Sequence, residues 1–261
     1  MLLMPFTLSH AAAALPFRRT RLVMSAVVFG CFAPDSEYFL WLRPHGHFGH
    51  TLPGLFLYDI PAGFFLFLLF QLYARGPLVA CLPVHLRERV RSKPSIRIDS
   101  FSTFALVCVS ILVGSITHLA WDSFTHTEYW LGRHWMFLSE NVHLPLFGSR
   151  PWSGVFQYIS SAAGLLVILM WFAHWYRVTP PVHSEGDQTR FHRDRLIVFL
   201  AFLISLVAGL IRAAGPGLPN GVHGAQRFMT DAAISGITVF CIELLLYGFV
   251  RLRLSGGTET A

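Results

Sequence analysis

The run FSTFALVCVSILVGSITHLAW at residues 101–121 decides the fold, because it includes no Asp, Glu, Lys or Arg. A helix needs about 20 apolar residues to cross a bilayer. Outward from this segment, four further apolar runs each contain at most one charged residue. These runs are Leu55–Tyr73, Val155–Tyr176, Leu196–Ile211 and Ala232–Val250. The pattern predicts an all-α, multi-pass membrane helical bundle with about five spans.

The composition favours the same class of protein. Of the 261 residues, 54% are hydrophobic and 13% are charged, and the mean hydropathy is +0.53. Typical soluble domains contain about 25% charged residues. The four cysteines form no CxxC pair, which excludes a cysteine zinc site and a disulfide framework. The net charge of +6 comes mostly from Arg between apolar runs, which predicts contact with a lipid bilayer and no nucleic-acid partner.

The first 42 residues differ from the predicted spans. Met1–Phe17 is apolar, but its first basic residue, Arg18, follows it, which is the wrong order for a secretory signal peptide. The second apolar run, Leu22–Ala33, is too short to cross a bilayer. We therefore expect residues 1–42 to form a helical hairpin, buried in protein or re-entrant.

Polar segments predict the remaining organisation of the chain. Arg residues are concentrated in segments 75–100 and 177–195 and in the C-terminal tail, so the positive-inside rule places these parts in the cytoplasm. The loops around His50 and His126 then face outward. We expect a metal-site helical membrane domain over 1–176, a polar linker over 177–194, a two-helix membrane addition over 195–254 and a disordered tail over 255–261.

The most distinctive of the 13 histidines lie in His118-Leu-Ala-Trp-Asp122-Ser-Phe-Thr-His126. On a helix, positions i, i+4 and i+8 share one face, so these side chains can bind one metal ion or bridge two. Ionisable groups at the end of a membrane helix are by default a functional hypothesis. The structural alternative places Asp122 and His126 in interfacial water and makes His118 a hydrogen-bonded core histidine.

Two acids and a histidine near the N-terminus add candidate ligands. Asp35 follows an apolar run, where a carboxylate is costly unless it meets a cation or a donor, and Glu37 is the nearby alternative. His10 lies on an apolar segment that the predicted hairpin would fold towards Asp35. A helix-capping Asp and a core His are the structural alternatives.

The loop His45-Gly-His47-Phe-Gly-His50 offers three imidazoles. His50 directly precedes an apolar run and is the strongest candidate, whereas His45 and His47 are more typical of surface histidines. The glycines between them permit the tight backbone that would turn an imidazole inward.

The combination of these residues predicts metal chemistry. A mixed nitrogen and oxygen ligand set suits Zn²⁺, with Mn²⁺ or Fe²⁺ as alternatives. The sequence contains no Walker loop, GxGxxG, GxSxG or HExxH motif, and nothing marks a Ser or Cys nucleophile, so metal-activated water is the most economical chemistry. His126 or Glu37 would carry protons. Arg133 or Arg150 would hold a phosphate under a lid, although the Trp-rich loop 123–153 also fits an aromatic interface belt.

Five stretches resemble a bacterial family of multi-pass membrane proteins of unknown function, the DUF4184 family. They are PFTLSHAAAALPFRR from Pro5, APDSEYF from Ala33, GHTLPGLFLYDIP from Gly49, THLAWDSFTH from Thr117 and QYISSAAGLL from Gln157. The layout of an early His, a Pro-Asp, a His-Thr and a later HxxxD is similar to inner-membrane metal-dependent hydrolases, which are distantly grouped with zinc phospholipase C and nuclease P1.

The resemblance implies a metal site built from His10, Asp35, His50, His118 and Asp122, and phosphoester hydrolysis by analogy. The soluble zinc phospholipases use further ligands that have no counterpart here, so we expect one or two ions. Two hypotheses follow: a membrane-embedded metal-dependent hydrolase acting on a phospholipid or another lipid-linked phosphoester, or a non-enzymatic membrane protein such as a metal or proton transporter or a structural subunit. The expected location is the bacterial inner membrane.

Overall fold

The five predicted spans are all present. The computed structural model describes residues 7–44, 46–91, 96–144, 148–182, 188–215, 217 and 220–254. The helices long and apolar enough to cross a membrane are Leu52–Cys81, Phe101–Thr125, Trp152–Val178, Phe191–Ala214 and Gly224–Leu254. The chain is therefore an integral membrane protein of the all-α class, as predicted. The predicted tail 255–261, His45 and part of the predicted linker lie outside the described residues.

The helices follow one another along the chain with short connections. After a 3-10 helix at Thr7–Arg19, they are α1 (Met24–Phe32), α2 (Ser36–Trp41), α3 (Leu52–Cys81), α4 (Val84–Arg91), α5 (Phe101–Thr125), α6 (Trp130–His134), α7 (Met136–Ser139), α8 (Trp152–Val178), α9 (Gln188–Ala214) and α10 (Gly221–Leu254). Helix α3 contains two π-helical stretches, Leu55–Asp59 and Phe70–Ala74.

The predicted N-terminal hairpin is confirmed, with a 3-10 helix as its first arm. Ala14 of this arm packs against Val27 and Cys31 of α1, and all three are fully buried. The two arms therefore share a small apolar core. His10, on the same arm, is itself buried.

Helices α1 and α5 touch along their backbones. A Cβ atom at Gly30 would lie 2.1 Å from the Ile111 carbonyl oxygen, and one at Gly114 would lie 2.1 Å from the Val27 carbonyl oxygen. The Ser115 hydroxyl donates to the Gly30 carbonyl oxygen at 3.1 Å. Small residues permit such close approach of helices in membranes. The contact fixes the end of α1 beside the last two turns of α5.

The chain divides into two compact units. The first comprises Met1–Glu37, Gly46–Phe64 and Asp99–Phe172, and it contains all five predicted metal ligands. The second comprises Tyr38–His45, Phe65–Ile98 and Ala173–Ala261.

Buried acids of the second unit have structural partners. Asp194 is fully buried; the Tyr247 hydroxyl donates to its Oδ1 at 2.5 Å, and Arg251 Nε lies 3.2 Å from its Oδ2. Glu243 accepts a hydrogen bond from the Ser205 hydroxyl at 2.8 Å. These groups tie α9 to α10 and need no ligand to explain them.

The loop 123–153 contains structure that the sequence did not predict. Besides α6 and α7, it forms an antiparallel pair of strands, β1 (Asn141–Leu144) and β2 (Gly148–Pro151). Gly148 enters the second strand with a φ of +72°, a left-handed conformation that glycine tolerates. Hydrophobic periodicity is weak in so short a hairpin, which is why the segment resembled an irregular loop.

Candidate metal centre

Helix α5 places His118 and Asp122 one turn apart on its buried face. His118 Nδ1 lies 2.7 Å from the Cys31 carbonyl oxygen at the end of α1. A carbonyl oxygen only accepts hydrogen bonds, so Nδ1 donates and a neutral ring has its lone pair on Nε2. That Nε2 lies 3.2 Å from Asp122 Oδ2. The backbone of α1 therefore orients the imidazole in the manner typical of a metal ligand.

Asp35 is held at the junction between α1 and α2. The Thr7 hydroxyl donates to its Oδ2 at 2.7 Å, which leaves Oδ1 facing two imidazoles. Oδ1 lies 3.5 Å from His50 Nε2 and 3.6 Å from His118 Nε2. The carboxylate is buried, and in the described residues Oδ1 has no hydrogen-bond partner.

The loop that carries His50 is fixed by Glu37. The Gly49 amide donates to Glu37 Oε1 at 2.7 Å, and both residues are buried. His50 Nε2 then lies 3.5 Å from Asp122 Oδ2. The Tyr129 ring stacks on His50 with centroids 5.2 Å apart and an interplanar angle of 5°. Two elements distant in sequence thus hold this imidazole against the acids.

Asp35, His50, His118 and Asp122 form a four-residue cluster. The distances between its imidazole nitrogens and carboxylate oxygens can be compared with those of direct hydrogen bonds and with those of donors around a metal ion. Three of its four imidazole–carboxylate separations are 3.5–3.6 Å and the fourth is 3.2 Å. Charge-assisted hydrogen bonds measure about 2.7–2.9 Å, whereas atoms arranged tetrahedrally around Zn²⁺ at about 2.0–2.1 Å lie about 3.3–3.4 Å apart. Each of Asp35, His50, His118 and Asp122 offers one ligand atom, and these four atoms all lie within 4.8 Å of one another. These four residues could therefore hold a divalent ion.

Two further histidines border the four-residue cluster. His10 Nε2 lies 3.5 Å from Asp122 Oδ1, and the His10 ring stacks on His118 with centroids 4.1 Å apart. His126, which ends α5, places Nδ1 3.9 Å from the same Asp122 oxygen. The His126 side chain is 16% exposed, whereas that of His10 is 3% exposed. The His10 side of the cluster is therefore closed, whereas the His126 side is partly exposed.

Opposite shifts in pKa affect the two N-terminal imidazoles. Burial, helped by the nearby His118 ring, lowers the pKa of His10 to about 4. Burial also opposes the charged form of His50, but the carboxylates of Asp122 and Asp35 outweigh it and raise the pKa of His50 to about 10. At neutral pH His50 therefore shares its proton with two acids, and His10 presents a neutral ring.

The structure brings together the five predicted ligands, and it gives the other candidates different positions. Glu37, predicted as a proton carrier, contacts the Gly49 amide and so supports the His50 loop. Arg133 is exposed on α6, and Arg150 lies in β2 opposite Val142.

Three supporting groups were missed by sequence reasoning. They are the Thr7 hydroxyl on Asp35, the Cys31 carbonyl on His118 and the Tyr129 ring on His50. A backbone carbonyl leaves no mark in a sequence, and Tyr129 lies in a loop where no periodicity indicates its direction.

The fold and the cluster define a class of protein: a polytopic helical membrane protein with a buried group of histidines and aspartates in its first unit. The chain belongs to the family described as a domain of unknown function (DUF4184), whose model matches residues 4–249. The comparisons with curated proteins and with solved structures gave no match.

Proposed function

We propose that this protein is a membrane-embedded, metal-dependent hydrolase that acts on a phospholipid or another lipid-linked phosphoester. The observation that carries the proposal is the convergence of ligand atoms from four residues within 4.8 Å of one another at the end of a membrane span. The residues are Asp35, His50, His118 and Asp122. They come from three segments of the chain, because His118 and Asp122 share α5, and only the tertiary fold brings Asp35 and His50 to that helix.

The chemistry of the donors favours Zn²⁺, with Mn²⁺ or Fe²⁺ as alternatives. Two imidazole nitrogens and two carboxylate oxygens form a set that these ions accept. When bound, such an ion lowers the pKa of water and polarises a phosphoryl oxygen. The Cys31 carbonyl and the Thr7 hydroxyl orient His118 and Asp35, so the donors are arranged before an ion enters.

The surroundings of the cluster support a lipid-linked substrate. Asp122 lies near the end of α5, where the apolar span meets the segment 126–139. That segment exposes Trp135, Met136 and Phe137 by 54%, 81% and 48%. Exposed aromatic and apolar side chains next to a membrane helix end are typical of the interface, where headgroups lie. A headgroup ester at this depth would approach the cluster from the side of the partly exposed His126.

The loop charges support an orientation in the bacterial inner membrane. Arg residues in segments 75–100 and 177–195, together with Arg251 and Arg253 at the end of α10, favour a cytoplasmic location for these parts and for the C-terminus. The metal centre then faces the outer side. A reporter fused to the C-terminus, active only in the cytoplasm, tests this arrangement.

Bound metal and hydrolysis test the function together. The full chain is purified in detergent and its zinc is measured for wild type, Asp122→Asn and the matched control Asp99→Asn, whose acid is exposed before α5. We expect zinc in wild type and in the control but a loss of about tenfold or more in affinity for Asp122→Asn. Release of product from phospholipid vesicles should stop on chelation and return with Zn²⁺. Negligible zinc in all three proteins would refute the proposal.

A further inference from the structure

Two arginine side chains meet the start of α9 within the second unit. Arg87 of α4 places its guanidinium carbon 3.5 Å from the centroid of the Phe191 ring. Arg195, which follows Phe191 by one turn of α9, donates from Nη2 to the Leu82 carbonyl oxygen at 2.8 Å. Residues four apart share one face of a helix. The connection between α3 and α4 and the helix after it therefore pack on one face of α9, beside two guanidinium groups.

The neighbouring acid, Asp194, has its own partners. Arg251 of α10 lies with Nε 3.2 Å from Asp194 Oδ2, and the Tyr247 hydroxyl donates to Oδ1. A Cβ atom at Gly76 of α3 would lie 2.7 Å from Arg251 Nη1, so the Arg251 guanidinium lies close to the backbone of α3. The charge of Asp194 is therefore balanced by Arg251.

Arg195 has a buried donor for which the described residues supply no acceptor. Its Nε is buried and makes no hydrogen bond with them, and its Nη2 donates to a neutral carbonyl oxygen. A buried guanidinium group is costly unless a counter-charge or an acceptor compensates it. Arg87 is also buried, so a second positive charge lies at the same face of α9. The two groups therefore favour the binding of an anion beside them.

The position of the two arginines along the helices indicates a headgroup phosphate as this anion. The candidate membrane spans end at Cys81 in α3 and begin at Phe191 in α9, so both arginines lie beside span ends, at the depth of lipid headgroups. The planar fork of a guanidinium group matches the oxygens of a phosphate. Basic pockets between membrane helices are known to bind anionic headgroups.

The surface of α9 next to Arg195 distinguishes a lipid from a free phosphate ion. Leu196, Phe199 and Leu200 follow Arg195 within five residues, and all three are exposed. Apolar side chains exposed on a membrane span face acyl chains. A phospholipid would place its phosphate at Arg195 and its acyl chains against these residues, whereas a free phosphate ion would use only the guanidinium groups.

We propose that Arg87 and Arg195 bind the phosphate of an anionic phospholipid at the start of α9. The site uses no residue of the metal centre and requires no hydrolysis, so it does not depend on the proposed function. Because its two arginines come from α4 and α9, the bound lipid fastens these helices together and stabilises the second unit.

Lipid binding to the full chain tests this inference. The protein is purified in detergent and titrated with dioleoyl phosphatidylglycerol or dioleoyl phosphatidylcholine, and native mass spectrometry measures the bound lipid. Chelator is present, so that no metal-dependent reaction consumes the lipid. Inorganic phosphate serves as a competitor.

The main variant is Arg195→Gln, which keeps an amide donor for the Leu82 carbonyl oxygen. Arg195 is partly exposed, so this variant is expected to fold, and circular dichroism checks that it does. Arg87→Gln is the second variant. Arg212→Gln, which removes an exposed arginine at the other end of α9, is the matched control.

We expect wild type and Arg212→Gln to bind phosphatidylglycerol equally well and more tightly than phosphatidylcholine. Arg195→Gln and Arg87→Gln should each weaken phosphatidylglycerol binding about tenfold or more. The preference of wild type should persist at about 1 M salt, where attraction between exposed charges is screened beyond about 3 Å. Equal affinity for the two lipids, or an equal loss in the control, would overturn the inference. Displacement of the lipid by an equimolar amount of inorganic phosphate would overturn the assignment to a lipid in favour of free phosphate.

Discussion

An alanine at Gly114 tests whether the contact between α1 and α5 sets the geometry of the metal centre. Its Cβ would lie 2.1 Å from the Val27 carbonyl oxygen, and Cβ atoms essentially never come closer than 3.0 Å, so the helices must separate by about 0.9 Å. His118 lies one turn further along α5. The same displacement would stretch its 2.7 Å hydrogen bond to the Cys31 carbonyl to about 3.6 Å, which is too long for a hydrogen bond.

The expected cost of this substitution has two parts. Overpacking costs about 1–3 kcal/mol, and leaving the His118 donor unsatisfied in a buried position costs about 1–3 kcal/mol more. We expect the free energy of unfolding to fall by about 2–6 kcal/mol and the affinity for Zn²⁺ to fall about 10–100-fold, as for loss of a group that orients a ligand.

Thermal unfolding in detergent, followed by circular dichroism, and zinc competition with a chelator measure these two effects. Gly215→Ala is the matched control, because a Cβ at Gly215 would lie 3.4 Å from its nearest neighbour, the Arg212 carbonyl oxygen, which is an ordinary van der Waals distance. If Gly114→Ala unfolded at the same temperature as Gly215→Ala and bound zinc equally well, the backbone contact would not be what positions His118.

Three other outcomes concern the groups around the acids. Thr7→Val removes the donor to Asp35 Oδ2, so Zn²⁺ affinity should fall about 10–100-fold in chelator competition, and an unchanged value would refute the orienting role. Because the pKa of His50 is raised to about 10, Zn²⁺ must displace the proton of His50 below that pH. The affinity for Zn²⁺ should therefore rise about tenfold for each unit of increasing pH near pH 7. Calorimetry in buffers of different ionisation enthalpy should detect the release of about one proton on binding. Glu37→Gln keeps an acceptor for the Gly49 amide and should retain the affinity, whereas Glu37→Ala should lower it about tenfold; equal losses would indicate that the charge of Glu37 matters.

The spans and the residues of the candidate site could be predicted from the sequence for one physical reason. Burying an ionisable side chain in apolar surroundings costs free energy, so a charge-free run such as 101–121 predicts a membrane helix. For the same reason, an acid beside an apolar run, such as Asp35, predicts a cation or hydrogen-bond donor nearby. His118 and Asp122 were found by helical spacing, and α5 places both on its buried face.

The supporting contacts could not be predicted, because they depend on backbone atoms and on tertiary approach. The Cys31 carbonyl that orients His118 belongs to a residue whose side chain gave no indication of function. The close approach of α1 and α5 depends on Gly30 and Gly114, which are small residues in runs that hydropathy alone describes as uniform. The division of the Asp122 oxygens between two pairs of imidazoles is likewise a property of the folded chain.

The sequence positions of the donors have a consequence for biogenesis. His10, Asp35 and His50 leave the ribosome first, but His118 and Asp122 follow only with α5, and His118 is oriented by a carbonyl of α1. A nascent chain that has not yet inserted α5 and docked it on the hairpin offers an incoming ion only a fraction of its donors. If the proposed centre binds an ion, metal uptake would therefore be a late step of membrane insertion, and a retained ion would report that the amino-terminal half has been correctly assembled.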